Sequence, residues 1–190
     1  MINCNMEIGQ SYEECFNLYK MVELTNGMDG CIAEVGVCSG SSAIIIQKAK
    51  DHRKLYLFDT FVGLIDVGDN DVGLYNGFAP YNEQEVRNLF KDDNTVEIIN
   101  GYFPDIISEN LNFNDNKFSF VHLDVDTYLS TLKSLEFFYD KMIKNGIILS
   151  HDYRNCGTPG VEMAIDEFFK DKIEHVLPLW DTQCIIIKMG

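Results

Sequence analysis

Positive charge is scarce in this 190-residue chain, with 15 Lys and Arg against 30 Asp and Glu and a formal net charge of -15. Such a field repels phosphate backbones, and no local basic cluster offsets it, so nucleic acid is not an expected partner. Long apolar runs are absent too: none approaches the roughly 20 residues needed to span a bilayer. Residues Met1 to Gln10 are mixed polar, without the basic start or apolar stretch of a signal peptide, so the expectation is a cytoplasmic protein with no membrane partner. The cysteines at Cys4, Cys15, Cys31, Cys38, Cys156 and Cys184 lack the close pairing of a zinc site and the density of a secreted scaffold, and read as reduced thiols. Repeats, low-complexity tracts and linkers are also missing. One domain spanning residues 1–190 is the expectation, and this length buries enough core to fold without staples.

What is present is an alternation of short apolar runs rich in Ile, Val and Phe with helical patterns, the mark of a parallel sheet covered on both faces. Ser11 and Glu14 have capping-box spacing ahead of an amphipathic helix within a 1–30 N-terminal cap, with Gly27 as a stop. Strands are expected at Cys31 to Val35, Leu55 to Phe58, Val96 to Ile99, Phe118 to Leu123 and Ile147 to Leu149. Helices are expected from about Ser42 to Lys50, Glu83 to Phe90, Thr127 to Ile143 (stopped by Asn145-Gly146) and Val161 to Phe169, the last with Pro159 near its start. Ile173 to Leu179 and Cys184 to Lys188 resemble a closing antiparallel pair. The glycine-rich, acidic stretch at 61–82 is too irregular for one element and reads as an acceptor or lid loop.

Two constellations carry chemistry. In the first, Ala33-Glu34-Val35-Gly36-Val37-Cys38-Ser39-Gly40-Ser41-Ser42, a strand runs through a small-residue turn into a helix. Small residues let backbone approach a ligand, and the new helix offers free amides to a carboxylate such as that of methionine, while Glu34 is placed to accept from an ammonium group. Asp59 follows about 20 residues later at the next strand's end, where an acid meets ribose hydroxyls in dinucleotide-binding folds. A nicotinamide-dependent oxidoreductase shares this logic but wants G-x-G-x-x-G, whereas the glycines here are Gly36 and Gly40.

In the second constellation, His122-Leu123-Asp124-Val125-Asp126-Thr127-Tyr128 and Ser150-His151-Asp152-Tyr153 both end strands. Ligands of open α/β sheets collect there, so Asp124, His151 and Asp152 are expected to converge over an acceptor, where a magnesium ion and Asp124 as base would activate a hydroxyl. The competing reading is that Asp124 and Asp126 cap the helix near Thr127, a role weighted more heavily for Asp126. Tyr102, Phe103, Tyr128 and Tyr153 are candidates to stack on adenine or a sugar, with at least two of them expected in the core. The acidic run Asp66 to Asp71 loosely resembles a calcium loop without its terminal glutamate and reads as solvated.

Taken in order, six pieces resemble the macrocin O-methyltransferase-like (TylF) family. They are Ala33 to Val37, Leu57-Phe58-Asp59-Thr60-Phe61-Val62-Gly63-Leu64, Gly101-Tyr102-Phe103-Pro104-Asp105, Phe120 to Thr131, Asn145 to Tyr153 and Pro159 to Phe168. The resemblance implies a single-domain Rossmann-like class I methyltransferase, α/β, with a seven-stranded mostly parallel sheet, an antiparallel C-terminal strand and helices on both faces. It also implies methylation of a hydroxyl on a small, sugar-like acceptor, using S-adenosylmethionine and a divalent metal, Mg2+. By that resemblance Glu34, Gly36, Gly40 and Ser42 hold the methionine end of the cofactor and Asp59 the ribose, with Cys38, Ser41, Thr60, Phe61, Gly101, Tyr102 and Asp124 completing the cofactor site. Asp124 is implied as base and metal ligand, with Asp152 as a second ligand.

Two departures stand out. Where the family has paired aspartates this chain has His151-Asp152, and histidine favours borderline metals over magnesium or acts as a base itself. Less chain precedes the first strand than in family members, so a more open acceptor site is expected, closed by the 61–82 loop or by a partner in a homo-oligomer. These departures motivate the alternative of a catalytically degenerate methyltransferase fold that serves as a binding or scaffold protein.

Overall fold

The computed structural model describes residues 9–77, 81–108 and 115–190. The first eight residues of the 1–30 segment, with Cys4, and residues 78–80 of the 61–82 loop lie outside that description.

The described chain runs α1 (Tyr12–Leu24), β1 (Cys31–Val35), α2 (Ser41–Ala49), β2 (Leu55–Asp59), α3 (Glu83–Phe90), β3 (Val96–Asn100), α4 (Asp105–Ser108), β4 (Phe118–Leu123), α5 (Tyr128–Phe138), β5 (Met142–Ser150), α6 (Pro159–Phe169), β6 (Leu177–Pro178) and β7 (Cys184–Ile187). The strands form one sheet in the order β3-β2-β1-β4-β5-β7-β6. The first five strands are parallel, and β7 runs antiparallel to both its neighbours. Chain order reverses between β1 and β4, the place where open α/β sheets leave a crevice beyond the strands' carboxyl ends.

Period-two alternation sorts the core into two layers. Ala33, Val35, Phe58, Phe118, Val121 and Leu123 pack under α5 and α6 against Leu135, Phe138, Val161 and Ile165. Ile32, Leu55, Leu57, Phe120 and Leu149 pack under α1, α2 and α3 against Leu18, Val22, Ile46, Val86 and Phe90. Helix starts are set locally: reciprocal capping boxes join Ser11 to Glu14 and Asn82 to Glu85, and Pro159 occupies the first turn of α6. At the sheet's opposite end from the crevice, buried Arg53 bonds Asp51 (2.7 Å), Ser119 (2.7 Å), Thr25 (3.0 Å) and Asn26.

Three expected elements change. The helix expected to reach Ile143 ends at Phe138, passes through a 3-10 turn at Tyr139–Lys141 and gives way to β5 at Met142. Met142 pairs with Phe118, and the register jumps so that Phe120 meets Ile147, leaving Asn145-Gly146 as an irregularity inside the strand. Asn145 has φ +65°, a backbone state that ends a helix or kinks a strand equally well. The penultimate strand shrinks to Leu177–Pro178, because Glu174 turns inward to accept from Tyr139 (2.7 Å), Lys188 (3.2 Å) and the Met189 amide (3.2 Å). Two of the three acids of the 61–82 loop are not solvated, while Asp69 is exposed as expected. Asp71 is buried and Asp66 partly so, because both bond to α5, as described below.

No helix among the described residues is long and apolar enough to cross a membrane.

Candidate active site

A cavity of about 630 Å³ opens over the carboxyl ends of β1, β2, β4 and β5, within the range of small-molecule sites. Of the residues singled out from sequence, Gly36, Cys38, Ser41, Ser42, Asp59, Thr60, Phe61, Gly101, Tyr102, Asp124, His151 and Asp152 all line it. Glu34 and Gly40 do not. The Glu34 side chain is fully buried in the sheet, 2.8 Å from His122 Nδ1 on the neighbouring strand, and burial raises its pKa against the pull of His122 and Ser42. Its Oε1 faces His122, while Oε2 is buried without an aligned partner. Gly40 caps α2 with φ +82°, and an added Cβ would meet Leu89 of α3 at 2.9 Å, so its small size serves helix packing.

The turn after β1 is held open by its neighbours. Asp59 Oδ2 accepts from the amides of Val37 (2.7 Å) and Cys38 (2.8 Å), and Oδ1 from that of Phe61 (2.7 Å). The acid thus fastens the turn while its carboxylate still edges the cavity, with one of its four lone-pair directions left over. At Gly36, φ is +87° and a Cβ would lie 1.8 Å from the Asp124 carbonyl oxygen. The turn and the end of β4 touch through backbone there.

Across the cavity lies an acid cluster around one imidazole. His151 Nδ1 lies 3.2 Å from Asp124 Oδ1 and 3.0 Å from Asp152 Oδ2, and Nε2 lies 3.3 Å from Glu14 Oε1, reaching in from α1. Neither ring nitrogen completes an aligned hydrogen bond, although the side chain is only 10% exposed. Burial pulls the His151 pKa down, but contacts with Asp124 and Asp152 outweigh it and push the value up to about 12. Asp152 is held low despite burial, chiefly by His151. Asp126 lies beside them with φ +61°, its proton affinity raised by burial and by the charges of Asp124 and Asp152.

Asp126 is the site residue that sequence reading undervalued. It does not cap α5, and neither does Asp124, whose Oδ2 accepts from Gln10 (3.1 Å). The α5 N-terminus is instead served from the 61–82 loop, where Asp71 Oδ1 accepts from the Tyr128 amide (2.7 Å). Asp66 of the same loop accepts from Ser130 (2.6 Å), Thr127 (2.9 Å) and Tyr102 (2.9 Å). These bonds pin the loop beside the cavity, where Gly63, Leu64, Ile65, Leu74 and Tyr75 join the lining. Of the aromatic candidates Phe103 and Tyr153 are core, Tyr102 lines the cavity, and the Tyr128 hydroxyl bonds Glu167 (2.7 Å).

The donor set suits a divalent cation. One ligand atom each from Asp124, His151 and Asp152 lies within 4.8 Å of the others, and the imidazole nitrogens in that space lack aligned partners.

The strand order and the position of the crevice define a single-domain Rossmann-like fold of the O-methyltransferase class, shared with the solved O-methyltransferase NovP at a TM-score of 0.76. That match has 24% identity and covers 94% of this chain and 80% of NovP. The chain belongs to the macrocin-O-methyltransferase (TylF) family, whose model matches residues 10–188. A curated relative, demethyldecarbamoylnovobiocin O-methyltransferase of Streptomyces niveus, is 28% identical over 171 residues. That alignment takes in 80% of this chain and 63% of the relative, so the chain spans a little under two thirds of that protein's length. The O-methyltransferase TomG of Streptomyces achromogenes, solved in complex with SAM, shares the fold at 12% identity and a TM-score of 0.71, covering 97% of this chain and 83% of TomG.

Proposed function

We propose that this chain is an S-adenosylmethionine-dependent O-methyltransferase acting on a hydroxyl of a small, sugar-like acceptor. The observation that carries the reading is one cavity bordered on one side by the Gly36 to Ser42 turn and Asp59, and on the other by Asp124, Asp126, His151 and Asp152. When bound, S-adenosylmethionine supplies an electrophilic methyl group on a sulfonium. The amides opening α2 would hold its carboxylate, and the remaining lone pair of Asp59 would accept from its ribose hydroxyls. Tyr102 and Phe61 line the wall where an adenine ring would lie.

Moving that methyl from the sulfonium to the acceptor oxygen would leave a hydroxyl proton for a base of this chain to take. Asp126 suits that proton better than Asp124, to which the sequence alone pointed. Both Asp124 oxygens already have neighbours, in His151 and Gln10, whereas Asp126, although it bonds Asp152, combines raised proton affinity with a place on the cavity wall. A divalent ion held by Asp124, His151 and Asp152 would supply positive charge that favours ionised Asp126 and eases loss of the hydroxyl proton. The loop pinned by Asp66 and Asp71 narrows the cavity's mouth and excludes water from the transfer.

Titration calorimetry with S-adenosylhomocysteine is the direct test. Binding is expected, weakened by Asp59→Ala, and a folded chain that takes up none of the nucleoside would end the methyltransferase reading.

A further inference from the structure

Glu14 belongs to none of the motifs that point to methyl transfer, yet it is the buried residue that joins α1 to the acid cluster. Its side chain is fixed three ways: Oε2 accepts from the Ser11 amide (2.8 Å), and Oε1 accepts from the Thr182 hydroxyl (2.7 Å) and amide (3.2 Å). Those bonds, together with His151, hold its pKa below the usual glutamate value against the opposing effect of burial. A fixed carboxylate 3.3 Å from Nε2 favours the tautomer that carries its proton there, because that proton then points at negative charge. A dication that displaces the Nδ1 proton would then meet Nδ1 together with Asp124 Oδ1 and Asp152 Oδ2, which lie 3.2 and 3.0 Å from it. Two carboxylate oxygens converging on Nδ1 call for a positive charge between them, which a proton on Nδ1 supplies or, in its place, a metal dication.

Resting on the methyltransferase reading, we infer that Asp124, Asp152 and Nδ1 of His151 form a mixed nitrogen and oxygen site selective for a first-row transition-metal dication over Mg2+, with Glu14 as the positioning residue that orients the imidazole. Mg2+ prefers oxygen donors and gives up water reluctantly, whereas an imidazole nitrogen contributes more to Mn2+, Fe2+ or Co2+. The pairing of Glu14 with the far nitrogen is the carboxylate-histidine arrangement that fixes ring orientation and raises ligand basicity at metal centres. Gln10, 3.1 Å from Asp124 Oδ2, steadies the second ligand from the same N-terminal segment.

The test uses the 190-residue chain with Mn2+ or Mg2+ alone, by equilibrium dialysis and pulsed electron paramagnetic resonance. Mn2+ is expected to bind at least about ten-fold more tightly than Mg2+, with 14N modulation in the spin echo from a directly bound imidazole. His151→Asp should abolish the modulation and narrow the preference for Mn2+. Glu14→Gln should keep the modulation but weaken Mn2+ binding by about 10- to 100-fold. Equal affinity for the two ions, or bound Mn2+ without nitrogen modulation, overturns the site; Glu14→Gln with unchanged affinity overturns the role of Glu14. Where His151→Asp does not fold, the nitrogen signal of the unsubstituted chain decides. S-adenosylhomocysteine calorimetry separates the two readings: a chain that binds the nucleoside but fails the Mn2+ tests leaves the transferase reading standing and removes only this one.

Discussion

The two ends of the sheet treat buried charge in opposite ways. At the amino ends of the strands, Arg53 is as buried as Asp152 of the active site, but its guanidinium is matched by aligned acceptors on four residues. At the carboxyl ends, His151 sits among three carboxylates with no aligned bond to any of them, and Asp126 is crowded by like charge. One end is satisfied from within, and the other leaves charged groups short of aligned partners. Buried polar groups left short of partners cost stability, and such strain concentrates where chemistry happens.

Substitutions at the two ends should therefore separate stability from activity. The largest effect is expected from Arg53→Met, which strands Asp51 and the polar groups around it and should cost about 3–5 kcal/mol in a denaturant titration. A loss below about 1 kcal/mol would erase the contrast. Next comes Asp126→Asn, expected to lower turnover about 100-fold or more while the melting temperature holds or rises, since it removes a crowded charge. A fall in melting temperature matching that of Arg53→Met would place Asp126 with the structural charges. Asp71→Ala should cost about 1–2 kcal/mol, the range for losing a helix cap, because Tyr128 loses its partner. Denaturation midpoints of the variant and parent chains measure this.

The smallest effect concerns acid. Asp51 is lowered to about 2: burial opposes ionisation, but the Gly27 amide and Arg53 outweigh it. Asp93 is also lowered to about 2, first by the Thr95 hydroxyl and Gln47, with burial opposing. Folded values below the ordinary carboxylate value near 4 mean that their contribution is complete above that pH and is lost as pH falls toward 2. Melting temperatures of Asp51→Asn and Asp93→Asn followed from pH 5 to pH 2 should fall less steeply than those of the parent chain, and parallel curves would contradict the assignment.

Much of this was legible before any coordinates. The strands β1 and β4 and the helix α3 fall where alternation and capping spacing put them, because those signals are local and each element's apolar face is complete in its own residues. Most residues proposed for the cofactor line the cavity for the same reason: they end strands, and strand ends meet in this topology. What stayed hidden is non-local. Nothing near Tyr128 reveals that its amide is capped by Asp71, and nothing near Glu14 shows that a capping-box residue also faces His151. Asn145-Gly146 misled because a left-handed residue serves a helix end and a strand irregularity alike. Asp126 was undervalued because an acid just ahead of a helix is usually a cap, and only the loop's arrival at that helix frees it.

The overlap at Gly36 has a consequence for how such a protein can change. With only 1.8 Å between an imagined methyl and the carbonyl of Asp124, the segment expected to grip the donor and the one that carries the acids are in direct main-chain contact. Even alanine at this position would pry them apart. The spacing between these two segments is thus set by the absence of a side chain, and the 61–82 loop is freer to be rebuilt than this hinge-free joint.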